Sequence, residues 1–339
     1  MTDTFLASLG WSDSLASQLG DDEGTPVRIT DIARDRVIVI TEDGPLPLVT
    51  DSDLSIGSLA VGDWVLTDGT RITRVLDRQT LLARRAAGET GKRQMIAANV
   101  DTLGIVTSCN ADFNPARLER YLALAGSAGC VPLVILTKAD LVPDPTALVR
   151  QAERLSPLVA AMAVDARDPE TAALLAPWTG PGQTLALAGS SGVGKTSLTN
   201  TLTGGDEAVQ GNRKGDTKGR HTTTARTMRQ VTNGGWIIDM PGMRELGMAD
   251  ATEGIAQVFH DIEDLVANCR FNDCAHETEP GCAVQQAIAD GTLAADRYER
   301  WSKLQREDRY MSETTAQARA RNKRFGKMVR EVTRHKPGR

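Results

Sequence analysis

Residues 189–197, GSSGVGKTS, constrain the fold of this chain more than any other stretch. An apolar run, TLALA, precedes them, and KTSLTNTL reads as a helix that opens within them. Gly189-x4-Gly194-Lys195-Thr196 between a strand and a helix is the pattern of a phosphate-binding loop. The glycines, Gly192 included, let the backbone N–H groups from Gly189 through Ser190, Ser191 and Val193 to Ser197 curl around phosphate oxygens. The helix N-terminus adds positive potential. Lys195 is then placed to reach the β- and γ-phosphates, and Thr196 to ligate Mg2+. Strand candidates TLGIVTS, VPLVILT, LVAAMAV, TLALAG, TARTMRQV and GWIIDM surround the loop. PARLERYLALAGSAG and PTALVRQAERL are helix candidates between them, so residues 93–250 are expected to form an α/β domain with a mostly parallel sheet.

A second motif, TKAD, ends the apolar run VPLVILTKAD about 50 residues before the phosphate loop. The Asp140 carboxylate has two oxygens for guanine N1–H and N2–H2, which adenine does not offer. The stem of Lys138 suits the face of the base, and Ala139 separates the two. Thr137 stands where Asn is the more common residue. Asp165 and Ala166, in AVDA, are candidates for the loop whose backbone meets guanine O6. DMPG, residues 239–242, follows the strand candidate GWIID. Asp239 is expected to hold Mg2+ through water and the Gly242 N–H to sense the γ-phosphate. Between the phosphate loop and DMPG lies GGDEAVQGNRKGDTKGRHTTT, rich in Gly and charge, as a switch loop needs to be. Thr223, the favoured one of Thr222–Thr224, is expected to complete the Mg2+ shell. Met243 occupies the place where a Gln often orients the attacking water. His221 is the candidate to supply that catalytic role.

Base recognition thus precedes phosphate binding in the chain. This is the order of a circular permutation, with the original termini joined near 175–184 and the new break just after DMPGMRELG. The sheet itself is unchanged by such a reconnection. The chain beyond Gly242 runs straight into a cysteine-rich segment. A shift of the DMPG loop is therefore expected to re-aim the C-terminal unit as a body.

That segment, CRFNDCAHETEPGC, sets out Cys269-x4-Cys274-x-His276-x5-Cys282. Three thiolates and one imidazole make a closed tetrahedral site of the structural zinc type. Cys109 and Cys130 lie in apolar contexts and read as core. Five Cys, an odd number with three bunched late, suit a reducing compartment and hence the cytoplasm. No run of 18 apolar residues exists, so no membrane span or membrane partner is expected. A chain of 339 residues calls for more than one core. Residues 1–24 read as a leader. Residues 25–92 read as a small closed barrel of the OB kind, from short β-branched runs split by Gly, Asp and Pro. Trp64 is the one aromatic there, so RNA contact by the barrel rests on Arg28, Arg34, Arg36, Arg71 and Arg74 rather than on stacking. Residues 251–339 are expected to form a helical zinc unit with a basic tail. From 296 to 339 there are 14 Lys/Arg against 6 Asp/Glu in a chain whose net charge is -5. A basic tail on an acidic body fits a polyanionic partner, nucleic acid first.

With VGDWV, IAANVD, RLERYL, TKADL, GSSGVGKTSL, GRHTTT and DMPGMRE in this order, the chain resembles the RsgA/YjeQ family over nearly its whole length. The resemblance implies an OB fold, a circularly permuted GTPase domain and a zinc-binding C-terminal domain. It implies GTP hydrolysis with Mg2+, one structural zinc, and a role in late maturation of the small ribosomal subunit. It further implies contact with that subunit's rRNA, stimulation by the subunit and release on hydrolysis. The chain departs from the pattern in lacking a basic N-terminal arm, in Thr137 and in the VDA loop. A monomer is expected. The alternatives are an ATP-using P-loop enzyme, which Asp140 speaks against, and a non-catalytic RNA-binding module shaped by nucleotide.

Overall fold

Two short helices open the chain: α1 (Asp3–Ser8), whose first turn is capped by the Thr2 hydroxyl, and α2 (Asp13–Ala16). The computed structural model describes residues 2–20, 24–33, 35–85, 93–110, 112–157, 159–206, 226–240 and 251–312. The β-branched runs then close into a barrel of β1 (Thr25–Ile32), β2 (Val37–Thr41), β3 (Gly44–Thr50), β4 (Trp64–Thr67) and β5 (Arg71–Val75). Its order is β1-β2-β3-β5-β4, with β3 and β5 parallel and β4 returning antiparallel to β1. Alternate side chains face in, as the period of two requires, so that Val27, Ile29, Val37, Val39, Val65 and Ile72 fill the interior. The OB-like barrel expected from the sequence is therefore present.

Trp64 packs instead into the larger core, edge-on to Trp11 with ring centroids 4.8 Å apart. Arg28 corrects the sequence reading, which set it on an RNA-facing surface. It is only 1 % exposed, beneath the barrel. Nε donates to Gly62 O (3.2 Å), Nη2 to Asn99 O (2.6 Å), and Nη1 to Thr184 Oγ1 (2.9 Å) and Leu9 O. One guanidinium thus joins the leader, the barrel and the sheet domain. Burial pushes its pKa down to about 10, against the pull of Asp101 and Asp63. Arg36, Arg71 and Arg74 are exposed, while Arg34 lies outside the described residues.

A hairpin absent from the sequence reading follows, β6 (Leu81–Arg85) with β7 (Arg93–Ala98), as a separate two-stranded sheet. The next strands are β8 (Thr102–Ser108), β9 (Val131–Thr137), β10 (Ala160–Ala163), β11 (Thr184–Gly189), β12 (Met228–Gln230) and β13 (Trp236–Asp239). They form one sheet in the order β10-β9-β8-β11-β13-β12, parallel throughout except for β12. Strands β8 and β11 are buried along their whole length, as expected where helices cover both faces. The covering helices are α3 (Pro115–Ala128), α4 (Thr146–Glu153), α5 (Glu170–Leu174), α6 (Ala176–Thr179) and α7 (Lys195–Thr203). From β8 the chain steps outward through β9 to β10. From β11 it steps the other way to β13. The crevice beyond the carboxyl ends of β8 and β11 is the topological switch point, where a ligand is received. Strands that carry base recognition come first and those that carry phosphate binding come last, in an intact sheet, as the permutation requires.

Beyond lie α8 (Thr252–Val258), α9 (His260–Val266), α10 (Ala283–Ala289) and α11 (Ala295–Ser312). These helices are fastened to α3. At Gly254 a Cβ would overlap the Ala123 carbonyl oxygen, so the two helices touch backbone to backbone. Glu119 of α3, fully buried, accepts from Arg300 Nε (2.7 Å) and Arg297 Nη1 (3.2 Å). Arg120 pairs with Glu307, and Asp308 accepts from Ala251 N and Thr252 Oγ1, each at 2.8 Å. A shift of the DMPG loop that re-aims the C-terminal unit has to work against these contacts. The unit would first have to leave a glycine-tight helix contact and a set of buried ion pairs.

Candidate nucleotide and metal sites

At the switch point β11 ends in Gly189, in a backbone conformation (φ +147°) where any Cβ would overlap the Val106 carbonyl oxygen of β8. Glycine is the residue that fits. Gly192 (φ +80°) and Gly194 (φ +102°) carry the left-handed turns of the loop. Gly194 is also the N-cap of α7, whose first residue is Lys195. The Lys195 ammonium folds back on Gly189 O and Ser190 O, both at 2.8 Å. Ser191 and Gly192 are exposed at the crest, Val193 is buried beneath it, and Thr196 and Ser197 sit half-buried on the first turn of α7. The result is a ring of main-chain donors around a helix N-terminus, which can hold an anion.

The TKAD loop joins this ring directly. Thr137, fully buried at the end of β9, sets its hydroxyl between Thr107 O (3.0 Å) and Val193 O. Its Oγ1 stands 3.3 Å from where a Gly194 Cβ would be. A smaller β-branched residue in place of Asn thus still bridges the base loop to the phosphate loop. Lys138 is left-handed (φ +59°) and its ammonium donates to Gly192 O at 2.9 Å. The Ala139 N–H donates to Val164 O (3.2 Å), and Thr201 Oγ1 of α7 donates to Ala166 O (2.7 Å). The loop after β10, which holds Asp165 and Ala166, is thereby fixed beside Asp140. Asp140 meets a residue that sequence reading passed over: Arg167 Nη2 donates to Asp140 Oδ2 at 2.8 Å. The available signal was its place, two residues beyond Asp165 in a loop already suspected of facing the base.

Asp239 closes β13, in register with Leu187 of β11. It therefore stands at the same sheet edge as the phosphate loop. His221, Thr222, Thr223, Thr224, Gly242 and Met243 all lie outside the described residues, as does the basic tail beyond 312.

The cysteine cluster forms a second, separate site. Cys269 Sγ and Cys282 Sγ each stand 3.5 Å from His276 Nδ1 and 3.9 Å from each other. With Cys274 Sγ added, all four ligand atoms lie within 4.8 Å of one another. His276 reaches this geometry in a left-handed conformation (φ +59°). Its carbonyl accepts from Gln285 Nε2 (2.6 Å) and Tyr298 OH (3.1 Å), and its ring lies edge-on to Trp301. Helices α10 and α11 thus hold the backbone of His276, and Trp301 of α11 packs on its ring. The cluster could hold one metal ion.

A family model described as RsgA GTPase matches residues 75–249. A "Small ribosomal subunit biogenesis GTPase RsgA 2" of Vibrio vulnificus (strain CMCP6) is 47% identical over 332 residues, 96% of this chain and 95% of that one. This chain belongs to the RsgA GTPase family. A second relative, named "Small ribosomal subunit biogenesis GTPase RsgA", of Mesorhizobium japonicum, is 48% identical over 313 residues, 90% of each chain. The crystal structure of YjeQ from Thermotoga maritima superposes with a TM-score of 0.60 at 25% identity, covering 82% of this chain and 96% of that one. YloQ, titled a circularly permuted GTPase, gives 0.58 at 22% identity, covering 87% and 98%, and speaks to the fold. The family makes this chain a GTP-hydrolysing enzyme. Its fold is the circularly permuted P-loop domain with an OB-like barrel before it and a cysteine-bearing helical unit after it.

Proposed function

We propose that the chain hydrolyses GTP as an assembly factor of the small ribosomal subunit, as its relatives' names have it. Subunit binding stimulates the reaction, and hydrolysis releases the factor. The observation that carries the nucleotide reading is the direct joining of the TKAD loop to the phosphate loop through Thr137 and Lys138. Base and phosphates are then read by one connected surface. Residues 189–197 hold the phosphates, with Lys195 on the β- and γ-oxygens. Thr196 and Thr223 ligate Mg2+, and Asp239 reaches it through water. Gly242 senses the γ-phosphate, and His221 assists the attacking water. Mg2+ neutralises charge between the β- and γ-phosphates when bound. Asp140 accepts from the guanine edge. Zinc is the ion the cluster suits: bonds of about 2.3 Å to sulfur and 2.0–2.1 Å to nitrogen give tetrahedral edges of roughly 3.5–3.8 Å. The separations among Cys269, His276 and Cys282 agree with that.

We place the units at 1–24, 25–92, 93–250 and 251–339, the last ending in the basic tail that meets rRNA. The factor is monomeric and cytoplasmic. Two experiments test the reading. GTP turnover titrated with isolated small and large subunits is expected to rise only with the small one; equal response ends the assembly assignment. Asp140→Asn is expected to lose GTP affinity and gain affinity for xanthosine nucleotide, since an amide donates to the carbonyl at position 2. Unchanged GTP affinity removes Asp140 from base recognition.

A further inference from the structure

Beside Asp140 lies an arginine that the phosphate and base motifs leave unassigned. Arg167 is held first by Asp165, two residues before it. Its backbone N–H donates to Asp165 Oδ1 (3.0 Å), Nε to the same oxygen (3.2 Å), and Nη2 to Asp165 Oδ2 (3.3 Å). The same Nη2 then reaches across to Asp140 Oδ2 at 2.8 Å. Asp165 is itself immobilised, because its carbonyl accepts from Thr171 Oγ1 (2.7 Å) and the next carbonyl from Thr201 Oγ1 (2.7 Å). The guanidinium therefore spans two loops, one after β9 and one after β10, and fastens the aspartate of the first to the fixed frame of the second. Arg167 remains two-thirds exposed, so it closes the rim of the crevice and not its floor.

A carboxylate has about four lone-pair positions over its two oxygens. Arg167 takes one of them, on Oδ2. Among the described residues, Oδ1 is left whole, and one position remains on Oδ2. Guanine asks for one acceptor on each oxygen, for N1–H and for N2–H2. Both can be supplied while Arg167 stays in place. The geometry points to Arg167 as a positioning residue for guanine specificity: it holds the Asp140 carboxylate in the one rotamer that presents both oxygens to the base. This deepens the nucleotide reading and rests on Asp140 being the base acceptor. A hypoxanthine base, which lacks the 2-amino group, needs only one of the two oxygens and so depends less on the rotamer.

The test measures equilibrium binding of GDP and IDP, with Mg2+, to the full chain and to Arg167→Ala, Arg167→Lys and Asp165→Ala. Arg167→Ala is expected to weaken GDP about fivefold, the upper range for an exposed ion pair, and IDP less than about twofold. Arg167→Lys, which keeps the charge and the reach to one oxygen, restores part of the loss. Asp165→Ala reproduces the loss and adds little to it in the double variant, because both act through one tie. In turnover the loss falls on KM, with kcat within about twofold of the parent, since the γ-phosphate is untouched. Tighter GDP binding in Arg167→Ala overturns the proposal, for Arg167 would then be a competitor for Asp140. Equal losses for GDP and IDP overturn it too, for the role would then be structural. If Asp140→Asn leaves GTP affinity unchanged, the base reading fails instead. If Asp140→Asn switches to xanthosine nucleotide and Arg167→Ala changes nothing, the tie alone fails.

Discussion

Arg28 shows what a single side chain can decide. Its donors reach Leu9 O, Gly62 O, Asn99 O and Thr184 Oγ1, acceptors far apart in the chain. Cutting it to alanine leaves those acceptors buried and opens a cavity under Trp64, whose ring Arg28 faces at 5.7 Å. Arg28→Ala is expected to lower stability by about 3–5 kcal/mol, the range for breaking a buried charged network. Arg28→Lys recovers only part, because one ammonium cannot reproduce the fork. Denaturant unfolding of the three proteins reads this out, and a loss under 1 kcal/mol in Arg28→Ala would show that the network does not hold the units together. Because the pKa stays near 10, Arg28 is charged in both folded and unfolded chains at neutral pH, and the loss is expected to be flat from pH 6 to 9. No sequence pattern could have announced this residue. An arginine in a strand reads as an outward one, and only contacts across the chain reveal the reverse. The thiols make a second prediction at this scale. Burial pushes Cys130 up to about 12 and Cys109 in the same direction. Both should resist an aromatic disulfide reagent at pH 8, because the thiolate is the reactive form. The metal-loaded native protein is expected to react little, the chelated one at the Cys269, Cys274 and Cys282 thiols, and the unfolded one at all five. Fast reaction of Cys130 in the native protein would contradict its burial.

Elements were legible to the extent that one local rule dominated each. The phosphate loop was plain because its backbone geometry admits glycine at Gly189, Gly192 and Gly194 and little else. The barrel strands were plain because β-branched residues alternate between turn residues. The hairpin of β6 and β7 was missed: LLARR has no alternation, and it faces RQMIAA across a Gly-rich stretch that looks like a linker. The fastening of α8 to α3 was equally hidden, since Gly254 in a short helix resembles a weak point. It is where α8 touches the Ala123 carbonyl of α3. Gly254→Ala has better helix propensity, yet it is expected to destabilise by about 1–3 kcal/mol because the helices must part to admit the methyl. Urea unfolding followed by the Trp301 environment measures this, and a more stable variant would mean that the contact is loose. Removing the metal should act differently. Helices α8, α9 and α11 keep a core of Phe259, Ile262 and Trp301, so chelation is expected to unravel residues 269–282 and leave most helical signal in place. Loss of the whole helical signal would show that the ion organises the entire unit.

At the scale of the molecule, the same chain is tied to its central sheet from both ends. The leader enters beneath it, where Ser8 O accepts from Trp236 Nε1 (3.0 Å) and Gly182 N (3.1 Å). Asp31 of the barrel bridges to Thr227, three residues beyond the segment proposed as the switch. The cysteine-bearing unit is locked to α3 by Glu119, whose burial pushes its carboxyl up against the pull of Arg300 and Arg297. A nucleotide-driven change that reaches the C-terminal unit must therefore pass through α3, or strain its contacts. If GTP favours subunit binding, as proposed, linkage requires the subunit to tighten GTP relative to GDP by the same factor. The Glu119 clamp is the place to test how that factor is carried. Glu119→Gln keeps the shape and removes the charge, leaving Arg297 its pair with Asp261 and Arg300 its pair with Asp296. The C-terminal unit should then hold its fold but lose registry with α3. Affinity for isolated small subunits, measured with a non-hydrolysable GTP analogue and with GDP, is expected to differ strongly in the parent. In Glu119→Gln the ratio should fall toward one, while nucleotide affinity without subunits stays at the parent value, since the partners of Glu119 among the described residues are Arg297 and Arg300 of α11. An unchanged ratio would mean that the coupling bypasses α3, and a chain cut after residue 250 would then show whether the C-terminal unit carries it at all.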